Sequence, residues 1–506
     1  MLVFPIRDYL TEPGELVEFR ASAPASALAG GGGPAHPVGA CDVQATHVRR
    51  YLTAPEEGHG WLATFFDLPG RVDVGALARA WQAWLRRHDA LRTWFTADGA
   101  GLTRRLLPPQ AVTVHPVGLG VRASGEAVRT WMHERFAEAI NPVTWPGFVA
   151  GAVLRDEKST LFFAVDHAHT DGCSLARVFS EIRALYTAET GGAPARLPET
   201  GSHLDYCVAE ARRNAALDPA HPVAARWVDF LGRGLPASFA LPLGVDPGGR
   251  HPSVYETVDL FDLPQAEAFA RACRRGGSSF AAGAVGALAL AEHELAGTSH
   301  YRRLMVAHTR GERRWHAAQG WFVNLVPVEF PVPRGRSFAA TATAAHDALG
   351  RAHAMAEVSP ARVLELHPAA ALALGNTVPP VLSYVDLRHT PGSRDWTAAR
   401  FGVLGSGAPV SGVSVWLWRL WQGLRLTVAY PDNPVARDSV HRYVRHLRRI
   451  LDAAVGEPQG TAAYGPQGTV EYGPQDTPAY GPQDTPPPAV GVPRAAAMEP
   501  APVGGV

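Results

Sequence analysis

Between Phe148 and Tyr186 the sequence changes period, and this stretch constrains the fold more than any other. Phe148–Leu154 and Thr160–Val165 are short apolar runs separated by the polar turn Arg155–Ser159. Uninterrupted apolar runs of that length, closed by a turn, read as two buried strands joined by a hairpin or short loop. The spacing then turns helical. In Cys173–Tyr186, Leu175, Val178, Phe179, Ile182 and Leu185 recur at three- and four-residue intervals and share one face. A buried strand feeding an amphipathic helix calls for a layered α/β or α+β architecture. Between the two lies Asp166-His167-Ala168-His169-Thr170-Asp171-Gly172, a polar cluster on a loop held by rigid elements, where catalytic groups often sit.

Similar patterns run along most of the chain. Val74–Arg92 carries Leu77, Trp81, Trp84, Leu85 and Leu91 on an apolar stripe, and a second helix pattern across Ala123–Ile140 stops at Asn141-Pro142. Further helices are expected at Pro264–Arg275, Ser278–Ala296, Phe338–Met355 and Asp438–Ala454. Strands are expected to end near Phe19 and to span Leu304–Ala307, Val326–Phe330, Val381–Val385, Val413–Leu417 and Leu424–Val428. A chain of 506 residues is too long for one core, since single cores stop growing near ~250–300 residues. Two comparable bodies follow: an N-terminal subdomain over 1–235, a Pro-rich linker over 236–252 and a C-terminal subdomain over 253–456. Beyond Gly456 a Tyr-Gly-Pro-Gln unit recurs at Tyr464, Tyr472 and Tyr480. It is too poor in aliphatic residues to bury a core, so 457–506 is expected to be a disordered tail. The 51 Gly and 43 Pro concentrate there, in the Ala27–Pro37 break and in the linker.

Lys+Arg and Asp+Glu balance at 47 each, so no global field draws the chain toward nucleic acid or an anionic membrane. No apolar run reaches the ~18 residues a membrane span needs, and the N-terminus lacks the pattern of a secretory signal. A cytoplasmic, monomeric protein is expected. Cys41, Cys173, Cys207 and Cys273 form no C-x-x-C pair, which suggests neither a disulfide framework nor a zinc finger. No metal and no permanently bound cofactor is expected.

Three chemistries compete for the polar cluster. His167, His169 and Asp171 have the H-x-H-x-D spacing of a zinc site. They also suit an ordinary loop in which Asp171 merely caps the following helix. In the third reading His167 is a general base, because imidazole titrates nearest neutrality and can take the proton of a hydroxyl or amine attacking an acyl carbonyl. Asp171 would then brace the turn, and Gly172 would permit a backbone conformation or close approach that a Cβ would block.

At these residues the chain resembles the condensation-domain superfamily of acyltransferases, with its H-H-x-x-x-D-G motif, and most closely its polyketide-associated (Pap) branch. Asp166 stands where the first histidine would be, and His167, Asp171 and Gly172 match the rest. His88-Asp89-Ala90-Leu91-Arg92-Thr93-Trp94-Phe95 resembles the family's H-x-x-L-R-T-x-F segment, and Gly320-Trp321-Phe322-Val323-Asn324-Leu325-Val326-Pro327 its G-x-F-x-N-x-x-P segment, with Arg310 at the position of an arginine before it. Ser383–Arg388 and Tyr430-Pro431-Asp432-Asn433 are similar to Pap-branch segments, while Phe401-Gly402-Val403-Leu404-Gly405 is a degenerate match to D-F-G-W-G. The resemblance implies two chloramphenicol-acetyltransferase-like domains in a V-shaped pseudo-dimer, with His167 midway along a central channel. It implies His167 as the base and Asp171, Gly172, Arg310 and Asp166 as its structural support, with Arg310 pairing Asp171. Asn324, Trp321, Ser383 and Phe401 are the implied channel or substrate contacts. Trp416, Trp418 and Trp421 are candidates for an acyl pocket or for core packing. The implied donor is a thioester of coenzyme A or of a carrier protein's phosphopantetheine. The implied acceptor is a hydroxyl or amine of a specialised metabolite. The competing possibility is a catalytically idle docking protein for carrier proteins.

Overall fold

The structure, a computed structural model, describes residues 2–456 apart from 26, 29–34, 55–59, 100, 247–248, 334, 336 and 371–378. The repeat tail expected over 457–506 lies outside the described residues, as does much of the Ala27–Pro37 break. In chain order the first half comprises β1 (Leu2–Pro5), β2 (Gly14–Ser22), α1 (Asp42–Thr53), β3 (Trp61–Pro69), α2 (Val74–Arg87), β4 (Thr93–Asp98), β5 (Gly101–Leu106), β6 (Thr113–Arg122), α3 (Gly125–Ala139), β7 (Phe148–Leu154), β8 (Lys158–Asp166), α4 (Gly172–Gly191), α5 (His203–Ala215) and α6 (Pro222–Gly232). The second half comprises β9 (Ser253–Asp262), α7 (Leu263–Arg275), α8 (Phe280–Ala296), β10 (His300–His308), β11 (Val323–Pro331), α9 (Phe338–His353), α10 (Pro360–Leu366), β12 (Leu382–Asp386), β13 (Gly402–Gly405), β14 (Ser414–Leu420), β15 (Gly423–Pro431) and α11 (Pro434–Gly456).

A seven-stranded sheet runs β1-β13-β3-β8-β7-β2-β6, a six-stranded sheet runs β11-β10-β12-β14-β15-β9, and β4 and β5 form a separate hairpin. The paired apolar runs are β7 and β8, antiparallel with Phe148 opposite Val165. β8 lies at the centre of its sheet, and its uniform apolarity has a direct cause. Leu161, Phe163 and Val165 pack on one face against Leu77, Trp81 and Trp84 of α2 and Leu175, Val178 and Phe179 of α4. Phe162 and Ala164 pack on the other against Val128, Met132 and Phe136 of α3. Each large side chain so buried contributes roughly 1.5–3 kcal/mol. The strand that ends at Asp166 is therefore clamped on both faces.

Two boundaries differ from the sequence reading. The helix expected over Val74–Arg92 ends at Arg87, because His88 turns inward and its Nε2 meets Glu181 Oε2 at 2.8 Å, beside the Trp84 Nε1 that donates to the same oxygen at 2.9 Å. Asp89–Arg92 then form a 3-10 turn. The division of the chain at 236–252 also needs correcting. Leu217, Trp227, Phe230 and Leu231 of the expected first body pack in the core of the second. In the other direction Trp396, Phe401 and Trp418 pack in the core of the first. β13, from within 253–456, pairs with both β1 and β3. The bodies share chain in both directions because each fills its core with segments from the other half. No helix among the described residues is long and apolar enough to cross a membrane.

Candidate active site

The loop after β8 is pinned by main-chain bonds first. Asp166 N donates to Gly147 O at 3.0 Å and His167 N to Gly60 O at 2.8 Å. Asp166 is buried, and its Oδ1 accepts from Ala168 N at 2.8 Å and meets His47 Nε2 at 2.9 Å. Burial alone would raise this carboxyl's pKa, but His47, His169 and the Ala168 N–H together hold the group below its ordinary value. Gln44, also on α1, donates from Nε2 to Ala168 O at 2.6 Å. Helix α1 thus supplies an imidazole partner for the aspartate that stands in the first motif position. Sequence reasoning found neither His47 nor Gln44, because nothing in local spacing links residues more than a hundred positions apart.

The far end of the loop is fixed by an ion pair. Asp171 caps α4 by accepting from Ser174 N at 2.7 Å. Arg310 Nη2 donates to both Asp171 oxygens at 3.0 Å and to Ser174 Oγ at 2.7 Å. Phe322 N donates to Asp171 Oδ2 at 2.9 Å, and the Arg310 guanidinium lies 4.1 Å from the Phe322 ring centroid. Burial would raise the Asp171 pKa; the guanidinium and the two N–H donors lower it further than burial raises it. The aspartate is therefore an acceptor in a finished network, with no oxygen free for a metal. His167, His169 and Asp171 do not converge as ligands among the described residues, which disposes of the H-x-H-x-D zinc reading.

His167 is only partly buried, whereas its neighbours Asp166, Ala168 and His169 are fully so. Its ring lies 4.0 Å from that of Trp321 and 6.5 Å from that of His47. Nδ1 is buried without a hydrogen-bond partner. Burial, and then the neighbouring His47, push its pKa below the ordinary imidazole value. A neutral, partly reachable imidazole is what proton abstraction requires.

His169 has a different part. It stacks on Phe95 with 6.1 Å between centroids and 6° between planes, and burial pushes its pKa down to about 4. Because this lies below the unfolded value of 6.5, the unfolded chain binds more protons between the two, and stability falls as pH falls through that window. Replacement His169→Phe keeps the stack and removes the proton. Between pH 7 and pH 5 wild type is expected to lose about 2 kcal/mol more than His169→Phe in urea unfolding. Equal losses would show that His169 does not titrate this way.

The motif glycine departs from its expected role. A Cβ on Gly172 meets nothing within 4 Å, and its φ lies outside the left-handed range; the residue is exposed at the first turn of α4. A glycine of the second motif that does have a steric requirement is Gly320, whose φ is +147° and whose added Cβ would overlap the His203 ring. Gly172→Ala is expected to leave unfolding free energy within about 1 kcal/mol of wild type, whereas Gly320→Ala loses at least about 2 kcal/mol. A thermal or urea melt of each variant distinguishes them.

The remaining expected contacts separate. Trp321 is at the site, packed on His167, and the buried Asn324 of β11 donates from Nδ2 to Ala356 O at 2.8 Å. Ser383 is buried in β12 between Val306 and Trp416. Phe401 is not a channel residue: it stacks on Trp396 at 4.4 Å in the first core, where burial of both rings is the gain. Trp418 is also core, its Nε1 donating to Thr427 Oγ1 at 3.1 Å. Trp416 stacks on Tyr255, and Trp421 Nε1 donates to Ser393 Oγ.

Comparison with known proteins gives the family and the fold. The family model described as "Condensation domain" matches residues 52–370. Acyltransferase PapA3 of Mycobacterium tuberculosis (strain CDC 1551 / Oshkosh) is 31% identical over 469 residues, covering 90% of this chain and 97% of that protein. Trehalose-2-sulfate acyltransferase PapA2 of Mycobacterium bovis (strain BCG / Pasteur 1173P2) is 31% identical over 455 residues, covering 88% and 95%. Among solved structures, a PapA2 acyl transferase matches with a TM-score of 0.81 at 29% identity, over 90% of this chain and 100% of that one. The first condensation domain of the calcium-dependent antibiotic synthetase shares the fold, with a TM-score of 0.64 at 17% identity over 83% and 96%.

Proposed function

This chain belongs to the condensation-domain family and is an acyltransferase of its Pap branch, and from that premise we propose that it moves an acyl group from a thioester to a hydroxyl, with His167 as general base. The observation that carries the reading is the partly exposed His167 ring, kept neutral and packed against Trp321 at the end of a clamped strand. The acceptor hydroxyl gives its proton to His167 as its oxygen attacks the thioester carbonyl. The tetrahedral oxyanion then collapses, the C–S bond breaks, and the proton passes to the departing thiolate. The donor arm is that of coenzyme A or of a carrier protein's phosphopantetheine, and the setting is cytoplasmic. Relatives named for trehalose-2-sulfate and 2'-acyl-2-O-sulfo-trehalose favour a carbohydrate hydroxyl, and so an ester, over an amine.

Product analysis by mass spectrometry tests this. Full-length protein is offered acyl-coenzyme A and acyl-carrier donors against trehalose, its 2-sulfate and amine acceptors. An acyl ester of the sugar is the expected product. Amide formation would move the acceptor class, and thioester consumption with none of the acceptors would favour the idle docking protein.

A further inference from the structure

The wide spacing of Cys41, His203 and Cys207 in the sequence conceals one buried cluster. One ligating atom from each, two Sγ and an imidazole nitrogen, all lie within 4.8 Å of one another, and all three residues are buried. Cys41 is the N-cap of α1, and His203 and Cys207 lie one turn apart on α5, a spacing that puts both on one helix face. His203 Nε2 faces Trp321 O at 3.2 Å. A carbonyl only accepts, so that nitrogen carries the hydrogen, and in the neutral ring Nδ1 keeps a lone pair toward Cys207 Sγ, 3.7 Å away. Anchoring the outer nitrogen of a histidine on a carbonyl is the usual way its inner nitrogen is oriented for a metal. Arg104 Nη2 donates to Cys207 Sγ at 3.2 Å, which favours the thiolate form that binds metals.

We propose that Cys41, His203 and Cys207 bind one soft divalent cation, zinc in the first instance, as a closed structural site. Two thiolates and an imidazole are a donor set for zinc. The side-chain amide oxygen of Gln44, which lies 3.8 Å from Cys207 Sγ and also accepts from Cys41 N and Arg104 Nη2, or a water completes four-coordination. With the cation present, the two thiolates and the nearby Glu210 carboxylate balance the cation and Arg104, the condition a dry interior sets for buried charge. The cluster reaches the catalytic loop by two links. Gln44 holds Ala168 O, and His203 holds the carbonyl of the Trp321 that packs on His167. The site is independent of the acyl-transfer reading.

Full-length protein purified under reducing conditions from zinc-supplemented cells, without a histidine tag, is expected to carry about one zinc per chain by plasma mass spectrometry. Chelated protein given Co²⁺ is expected to develop a near-ultraviolet thiolate-to-metal charge-transfer band and the visible bands of a tetrahedral site. Cys41→Ala and Cys207→Ala are expected to lose both, while Cys273→Ala, in the second core, keeps them. Should the first two variants not fold, the wild-type Co²⁺ spectrum decides, since thiolate ligation alone gives that band. Fewer than about 0.1 zinc per chain with no Co²⁺ band overturns the proposal. So does zinc that survives both replacements, or recovery of Cys41 and Cys207 as a disulfide. Loss of zinc on Cys207→Ala also separates this site from any metal-dependent hydrolase chemistry at His167.

Discussion

His167→Ala is expected to lower kcat by about 10²–10⁴-fold, the usual worth of a positioned general base, while unfolding free energy stays within about 1 kcal/mol of wild type. The small structural cost follows from the contacts. The main-chain bond from His167 N to Gly60 O is kept, and Nδ1 has no hydrogen-bond partner to lose. Burial and His47 hold the His167 pKa below its ordinary 6.5. The acid limb of kcat/KM is therefore expected below that value, and to vanish in the variant. Steady-state thioester consumption across pH, read beside a thermal melt, checks both parts. A variant turning over at the wild-type rate, or one retaining the same acid limb, would take the base away from His167.

Asp171→Ala is expected to cost about 3–5 kcal/mol, because it strands the buried Arg310 guanidinium with no counter-charge. Loss of the α4 cap is included in that figure, and catalysis should fail with it as the far end of the His167 loop loosens. Arg310→Met is expected to cost a similar amount for the mirrored reason. The informative protein is the double replacement Asp171→Ala with Arg310→Met, in which no charge is left buried and part of the loss returns. A double-mutant cycle by urea unfolding should give a coupling of about 0.5–3 kcal/mol. Strictly additive losses would mean that the pair does not hold the loop.

Much of this site was legible where the information is local. The run from Phe148 to Tyr186 specified two strands, a loop and a helix, because each period reflects which faces are buried, and β7, β8 and α4 have those faces. Arg310 and Asp171 were paired through the family's pattern, and the structure brings them together. His47 and Gln44 were illegible because their partners lie on another element, and the same is true of Cys41, His203 and Cys207. β13 escaped because four residues with glycine at both ends carry no strand period; pairing on both sides makes it a strand. Gly172 was read as a steric necessity from its motif alone, whereas a glycine's requirement is set by what stands opposite its missing Cβ.

β13 also governs the order in which the chain can be assembled. It is the slat between β1 and β3, so a fragment ending at residue 235 would leave β1 without its neighbour and one edge of β3 bare. Such a fragment should stick to itself through that open edge. During synthesis the seven-stranded sheet cannot be completed until residues 402–405 have left the ribosome, long after His167 emerged. The two halves are thus unsuited to exchange as independent modules, and a cut-and-paste hybrid that keeps the first 235 residues must carry a matching 402–405 from the same parent.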